Sequence, residues 1–175
     1  MTIKSLIRTI PDYPKPGVQF RDITSLLEDA SGLRTAVEGL AAPFRGERIG
    51  KVAGIEARGF LFGVAVALEL DAGFVPVRKA GKLPGPTVGR EYDLEYGTDR
   101  IEIHADALGP GDRVLIVDDL IATGGTAEAT IHLIDDIGAE IVGCAFVIDL
   151  PDLGGSKRIG ANGFRVVSLC AFEGE

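Results

Sequence analysis

Two adjacent carboxylates, Asp118 and Asp119, are followed within seven residues by a small, hydroxyl- and glycine-rich run, Ala122-Thr123-Gly124-Gly125-Thr126. A carboxylate pair accepts hydrogen bonds from hydroxyl groups. A turn of small residues can aim several backbone N–H groups at a phosphate, above all at a helix N-terminus. One reading of them together is a site for a sugar phosphate; the other is the strand, acid, Gly-Gly turn and helix that occurs in many doubly wound proteins. Three other clusters could take part. Glu56-Ala57-Arg58-Gly59 contains an arginine able to clamp two phosphate oxygens, or to form a surface ion pair with Glu56. The stretch from Arg78 to Arg90 places Arg78, Lys79, Lys82 and Arg90 among glycines and prolines. It is either a solvated basic loop or the local positive charge that a polyanionic leaving group needs. Phe20-Arg21 sets an aromatic ring beside a cation. One reading is a core anchor next to a surface charge; the other is a stacking face for a planar base, with Arg21 and backbone groups reading its edge.

These residues need elements to hold them. Arg113-Val114-Leu115-Ile116-Val117 reads as a buried strand of a parallel sheet covered on both faces, with Asp118 and Asp119 beyond its carboxyl end, where open α/β sheets bind ligands. Ala127, Ile131, Ile134 and Ile137 trace a helix that Gly138 ends. Lys51–Ile55, a helix from Phe60 to Leu70 and Phe74–Val77 form a βαβ unit that crosses over right-handed and brings residues 56–59 to the same sheet edge. Glu140–Ile148 is a further buried strand, and its following loop, 149–155, faces that edge too. Phe164–Leu169 reads as a last strand; Lys157-Arg158-Ile159 is ambiguous. Between Arg78 and Arg90 the chain is expected to be a structureless lid, carried on a β-hairpin of Tyr92–Tyr96 and Arg100–His104. At the N-terminus Ile3, Leu6, Ile7 and Ile10 recur at helical spacing, and residues 11–17, with three prolines, form a stiff, extended segment. Ser31 is the expected cap of a helix whose stripe is Leu33, Val37, Leu40, Ala41 and Phe44, stopping near Gly46.

The chain has 175 residues, 46% of them hydrophobic and 25% charged, with a net charge of −8. That length fits one domain. The acidic balance argues against a nucleic-acid surface. Cys144 and Cys170 lie in apolar runs and read as small core residues. His104 and His132 have no second ligand at metal spacing. With no long apolar N-terminal run and no stretch of eighteen apolar residues, the expectation is a cytoplasmic protein without a membrane span.

The string from Arg113 to Thr126 closely resembles the signature of the type I phosphoribosyltransferases. Pro16-Gly17-Val18-Gln19-Phe20-Arg21-Asp22, Gly54-Ile55-Glu56-Ala57-Arg58-Gly59-Phe60, Arg78-Lys79-Ala80-Gly81-Lys82-Leu83-Pro84 and Leu94-Glu95-Tyr96-Gly97 extend the resemblance over essentially the whole chain and point to the branch acting on adenine. The resemblance implies an α/β fold: a mostly parallel twisted sheet flanked by helices, in a single domain spanning 1–175, with a small N-terminal hood (1–30) and a flexible lid and hairpin (about 79–104). It implies that adenine and phosphoribosyl pyrophosphate give AMP and diphosphate with magnesium, held mainly by substrate and water and by no dedicated protein ligands.

Under that resemblance Ala122, Thr123, Gly124, Gly125 and Thr126 cradle the 5-phosphate, and Asp118 and Asp119 hold the ribose hydroxyls. Glu56, Ala57, Arg58 and Gly59 form the pyrophosphate loop, with a cis peptide at Glu56–Ala57. Lys79, Lys82 and an arginine of a partner subunit meet pyrophosphate under the closed lid. Gln19, Phe20 and Arg21 form the adenine hood, Glu95 assists proton transfer at the base, and Tyr96 stands beside it. A homodimer is the family's usual state. The rival reading is a non-catalytic regulator that keeps the fold and binds phosphoribosyl pyrophosphate; such regulators typically add a DNA-binding domain, for which an acidic chain of 175 residues is expected to leave no room.

Overall fold

The computed structural model describes residues 2–94 and 97–174. Its centre is a seven-stranded sheet. Five strands are parallel: β3 (Lys51–Ile55), β4 (Gly73–Lys79), β7 (Arg113–Ile121), β8 (Glu140–Asp149) and β9 (Val166–Ala171). An antiparallel hairpin, β5 (Thr87–Asp93) and β6 (Thr98–His104), completes the order β5-β6-β4-β3-β7-β8-β9. Helices cover both faces. Leu115 and Val117 of β7 pack into one core with Leu26, Leu40 and Phe62, which lie on α1 (Thr24–Glu28), α2 (Ala30–Ala41) and α3 (Gly59–Glu69). Val114 and Ile116 pack into the other, with Ile131 and Ile134 of α4 (Gly125–Ile137) and Ile159 of α5 (Gly155–Ala161). Burial on both faces is why β7 reads as an unbroken apolar run instead of an alternation. Apart from this sheet, β1 (Arg8–Pro11) pairs antiparallel with β2 (Gln19–Asp22).

Several expectations are corrected. Helical spacing at the N-terminus yields only a 3-10 turn over Ile3–Leu6, closed by a reciprocal Thr2–Ser5 capping box. Ile10 instead sits in β1, opposite Phe20, because strand pairing overrides a four-residue helical repeat. Residues 11–17 are not an extended linker but the turn of that hairpin: Tyr13 N–H donates to Val18 O, and Asp12 accepts from Gly17 N–H at 2.8 Å. Asp29, not Ser31, caps α2, its Oδ1 accepting from Gly32 N–H at 2.6 Å. α1, unforeseen, ends immediately before it. The hairpin strand begins at Thr87, inside the stretch expected to be structureless, because residues 87–90 find partners in Ile101–His104. Lys157-Arg158-Ile159 is helical. β7 also runs further than its apolar residues, through Asp118 and Asp119 to Ile121, because β8 keeps pairing with it as far as Ile121↔Asp149. On the other side β3 lets go at Gly54↔Val117, so there the acids do lie beyond the ladder.

Candidate active site

The carboxyl ends of β3, β4, β7 and β8 share one edge of the sheet, and the segments that follow them build one rim. At its centre Gly124, with φ of 86°, turns the chain from β7 into α4, a conformation glycine adopts without penalty. The first N–H groups of a helix have no intrahelical acceptor. Here the carbonyls of the same turn are engaged from behind by α5. Ala122 O accepts from Gly155 N–H at 3.1 Å, and Thr123 O accepts from Arg158 Nη2 at 2.6 Å. The same turn lines a cleft. That cleft, about 350 Å3, is lined by Asp118, residues 120–127 and Tyr92–Leu94. Only a glycine fits at 155: a Cβ there would stand 2.7 Å from Gly124 N and 2.8 Å from Thr123 C.

The two acids differ. Asp118 Oδ1 accepts from Asp119 N–H at 2.8 Å. Burial first, and then the neighbouring Asp119 charge, push its carboxyl well above the usual carboxylate range. Gly59 makes room for it: a Cβ there would lie 2.7 Å from Asp118 Oδ1. Asp119, 5% exposed, has Oδ2 at 2.9 Å from Arg58 Nε. The N–H does not aim at that oxygen, which stays buried without a hydrogen bond. Arg58 also lies over the Phe20 ring, 5.4 Å from its centroid, so one guanidinium links the β1–β2 hairpin to the acid pair. Tyr13 meets Phe20 edge-on at 5.1 Å.

The surface pair considered between Arg58 and Glu56 is absent. Glu56 instead grips Arg78, Oε1 to Nη2 at 3.0 Å and Oε2 to Nε at 3.3 Å, and accepts from Lys79 N–H at 2.9 Å. The Arg78 hydrogen bond holds its carboxyl below the usual range. The Glu56–Ala57 peptide is cis. Lys79 faces Asp99 and Tyr92, and Lys82 is exposed on the loop between β4 and β5. Arg21 turns away from Phe20, as alternate strand residues must. It is 8% exposed, donates to Thr9 Oγ1 at 2.5 Å and to Gly174 O at 3.3 Å, and covers Phe172. Its guanidinium is therefore directed away from the Phe20 ring. Glu95 and Tyr96 lie outside the described residues.

A family model of the phosphoribosyl transferase domain matches residues 26–165. Adenine phosphoribosyltransferase of Methylobacillus flagellatus is 62% identical over 173 residues, covering 99% of this chain and 98% of that one. The chain belongs to the adenine phosphoribosyltransferase family. The crystal structure of the family's enzyme from Rhodothermus marinus superposes with a TM-score of 0.92 at 56% identity, over 97% of this chain and 96% of that one. The Saccharomyces cerevisiae enzyme, complexed with adenine and an imino-altritol bisphosphate, superposes at 0.89 and 37% identity, with 96% of each chain covered. Within this family frame, sequence reasoning missed Gly155 and Arg158, and it placed Arg78 in the basic stretch without its partner Glu56. Gly154-Gly155 following a strand to the same edge was the available signal for the first. Nothing in the order of residues announces that Arg158 reaches Thr123.

Proposed function

We propose that this chain transfers the phosphoribosyl group of phosphoribosyl pyrophosphate to adenine, giving AMP and diphosphate, the purine-salvage reaction for which its relatives are named. The observation that carries the reading is the turn 122–126. The carbonyls of Ala122 and Thr123 are bound from α5, and the whole turn lines a cleft that Asp118 also lines. In this reading the turn and the N-terminus of α4 take the 5-phosphate. Asp118 and Asp119 accept from the ribose hydroxyls and offset the positive charge that grows on the sugar as the C1–oxygen bond breaks and the purine nitrogen attacks. Hydroxyl donors and that charge both favour ionised Asp118, opposing the burial that raises its carboxyl. Arg78, aligned by Glu56, joins Arg58, Lys79 and Lys82 around the diphosphate. Phe20 provides the apolar face for adenine, with Gln19 and Arg21 offering backbone groups, and Glu95 assists the proton at the base.

Magnesium supplies charge neutralisation on the diphosphate when bound. No protein ligand is assigned to it: Asp119 Oδ2 is buried and faces the Arg58 guanidinium at 2.9 Å. Most of the ion's coordination would come from phosphate oxygens and water. A homodimer has support in α3, which exposes Leu61, Val64 and Leu68, the last 78% exposed, along one face. No helix among the described residues is long and apolar enough to cross a membrane; the cytoplasm is the proposed compartment. The regulator reading loses ground because the resemblance, in sequence and in fold, is to transferases along the full chain. Incubating the protein with phosphoribosyl pyrophosphate, magnesium and each of adenine, hypoxanthine and guanine tests the proposal. AMP and diphosphate from adenine alone is the expected result. Turnover of another base, or tight binding with no product, would end it.

A further inference from the structure

Lys79 closes a small network that includes two residues, Asp99 and Tyr92, to which the reaction above gives no role. It sits at the end of β4, with its ammonium on Asp99 Oδ2 and on Tyr92 Oη, the latter at 3.1 Å. Asp99 and Tyr92 face each other across the β5–β6 ladder. Tyr92 Oη lies 3.2 Å from the same Asp99 oxygen and 3.4 Å from Thr126 Oγ1, in the first turn of α4. A phenol has one proton to give and two lone pairs. Tyr92 can use all three: it donates to Asp99 and accepts from Lys79 and Thr126. The network therefore runs from the 5-phosphate turn to a lysine of the diphosphate side.

We propose that Asp99 is a built-in counter-anion that holds Lys79 and competes with diphosphate for it, with Tyr92 as the joint to the 5-phosphate turn. This rests on reading Lys79 as a diphosphate ligand. The pair holds near neutral pH: the Asp99 hydrogen bond raises the Lys79 ammonium above its usual value, and Lys79 holds the Asp99 carboxyl below its own. Both groups are partly exposed, at 43% and 25%, so a single carboxylate binds the ammonium weakly enough for a polyanion to win it. An anion entering the turn also draws the Thr126 hydroxyl, and that removes one of the three ties on Tyr92. Asp99 and Tyr92 are thus positioning residues: they set where Lys79 waits and how readily it is released to the ligand.

The test is calorimetric titration of the full chain with inorganic diphosphate and magnesium, and separately with AMP. Asp99→Asn is expected to tighten diphosphate binding by up to about fivefold, the range of a partly exposed ion pair, while AMP affinity stays put. Lys79→Ala is expected to weaken diphosphate binding, and Asp99→Asn added to Lys79→Ala to change nothing more. Asp99→Ser serves as a second replacement, and thermal unfolding checks each variant. If Lys79→Ala leaves diphosphate binding unchanged, Lys79 is not a diphosphate ligand and the underlying reading falls. If Lys79→Ala weakens it but Asp99→Asn weakens it too, or moves AMP equally, the counter-anion is overturned while the reading survives. Loss of the fold in both Asp99 variants would make Asp99 structural and overturn it as well.

Discussion

Gly155→Ala perturbs the proposed 5-phosphate turn from behind, at a residue that would not itself meet ligand. The new Cβ would press hardest on Ala122 O and sit 2.7 Å from Gly124 N, against 3.4 Å for an ordinary contact, so more than 0.7 Å must be found. The obstacle is backbone on both sides, which no rotamer change relieves. Overpacking of this kind costs about 1–3 kcal/mol. In a chain of this length that lowers the melting temperature by roughly 2–4 °C per kcal/mol. The larger effect should be kinetic. Misplacing a binding group by about 1 Å costs on the order of a hundredfold, so kcat/KM for phosphoribosyl pyrophosphate should fall by tens to a hundredfold. Gly160→Ala, in the same helix with nothing within 4 Å of its Cβ, is the control and should keep wild-type kinetics. Initial rates with each substrate varied in turn, together with thermal unfolding, give the comparison. Wild-type kinetics in Gly155→Ala would refute the claim that α5 sets the turn.

Three further variants probe the rest of the rim. Asp118→Asn should abolish most turnover yet stabilise the protein at neutral pH. The folded-state carboxyl is raised, so the stability that its protonated form provides is full below its ordinary value of 3.8 and is lost as pH rises through the raised value. Asn removes that loss, which grows by about 1.4 kcal/mol for every pH unit by which folding raises the carboxyl. Melting curves from pH 3 to 8 should show the gain only at the upper end, and a uniform loss would count against a buried, raised carboxyl. Glu56→Gln should raise KM for phosphoribosyl pyrophosphate severalfold by loosening Arg78, whose charged hydrogen bonds are worth about 1.5–3 kcal/mol, with KM for adenine unmoved; equal change in both would point to general damage. Leu68→Glu on the exposed face of α3 should yield monomers in sedimentation if that face joins two copies, and an unchanged mass would remove α3 from the interface.

What the sequence made legible followed from burial and from glycine. β7 and α4 could be read because two covered faces leave an apolar run, a 3.6-residue repeat follows it, and Gly138 marks the stop. β3, α3 and β4 were clear for the same reason. The 3-10 turn and β1 were misread because Ile3, Leu6, Ile7 and Ile10 satisfy a helical spacing by coincidence, while the deciding partner, β2, lies on the far side of a turn. Asp29 and Ser31 are both good caps, and only the abutting α1 selects the first. Partner choice was the least legible layer. Arg58, Arg78 and Glu56 allow more than one pairing on paper. Tertiary placement sends Arg58 to Asp119 and Glu56 to Arg78, and strand alternation turns Arg21 away from the ring beside it.

The most direct test is a crystal structure of the protein with AMP. The nucleotide's phosphate is expected over residues 122–126, with oxygens about 2.7–3.2 Å from N–H groups of that turn and its ribose diol toward Asp118 and Asp119. A phosphate bound anywhere else on the protein would contradict the assignment of that turn.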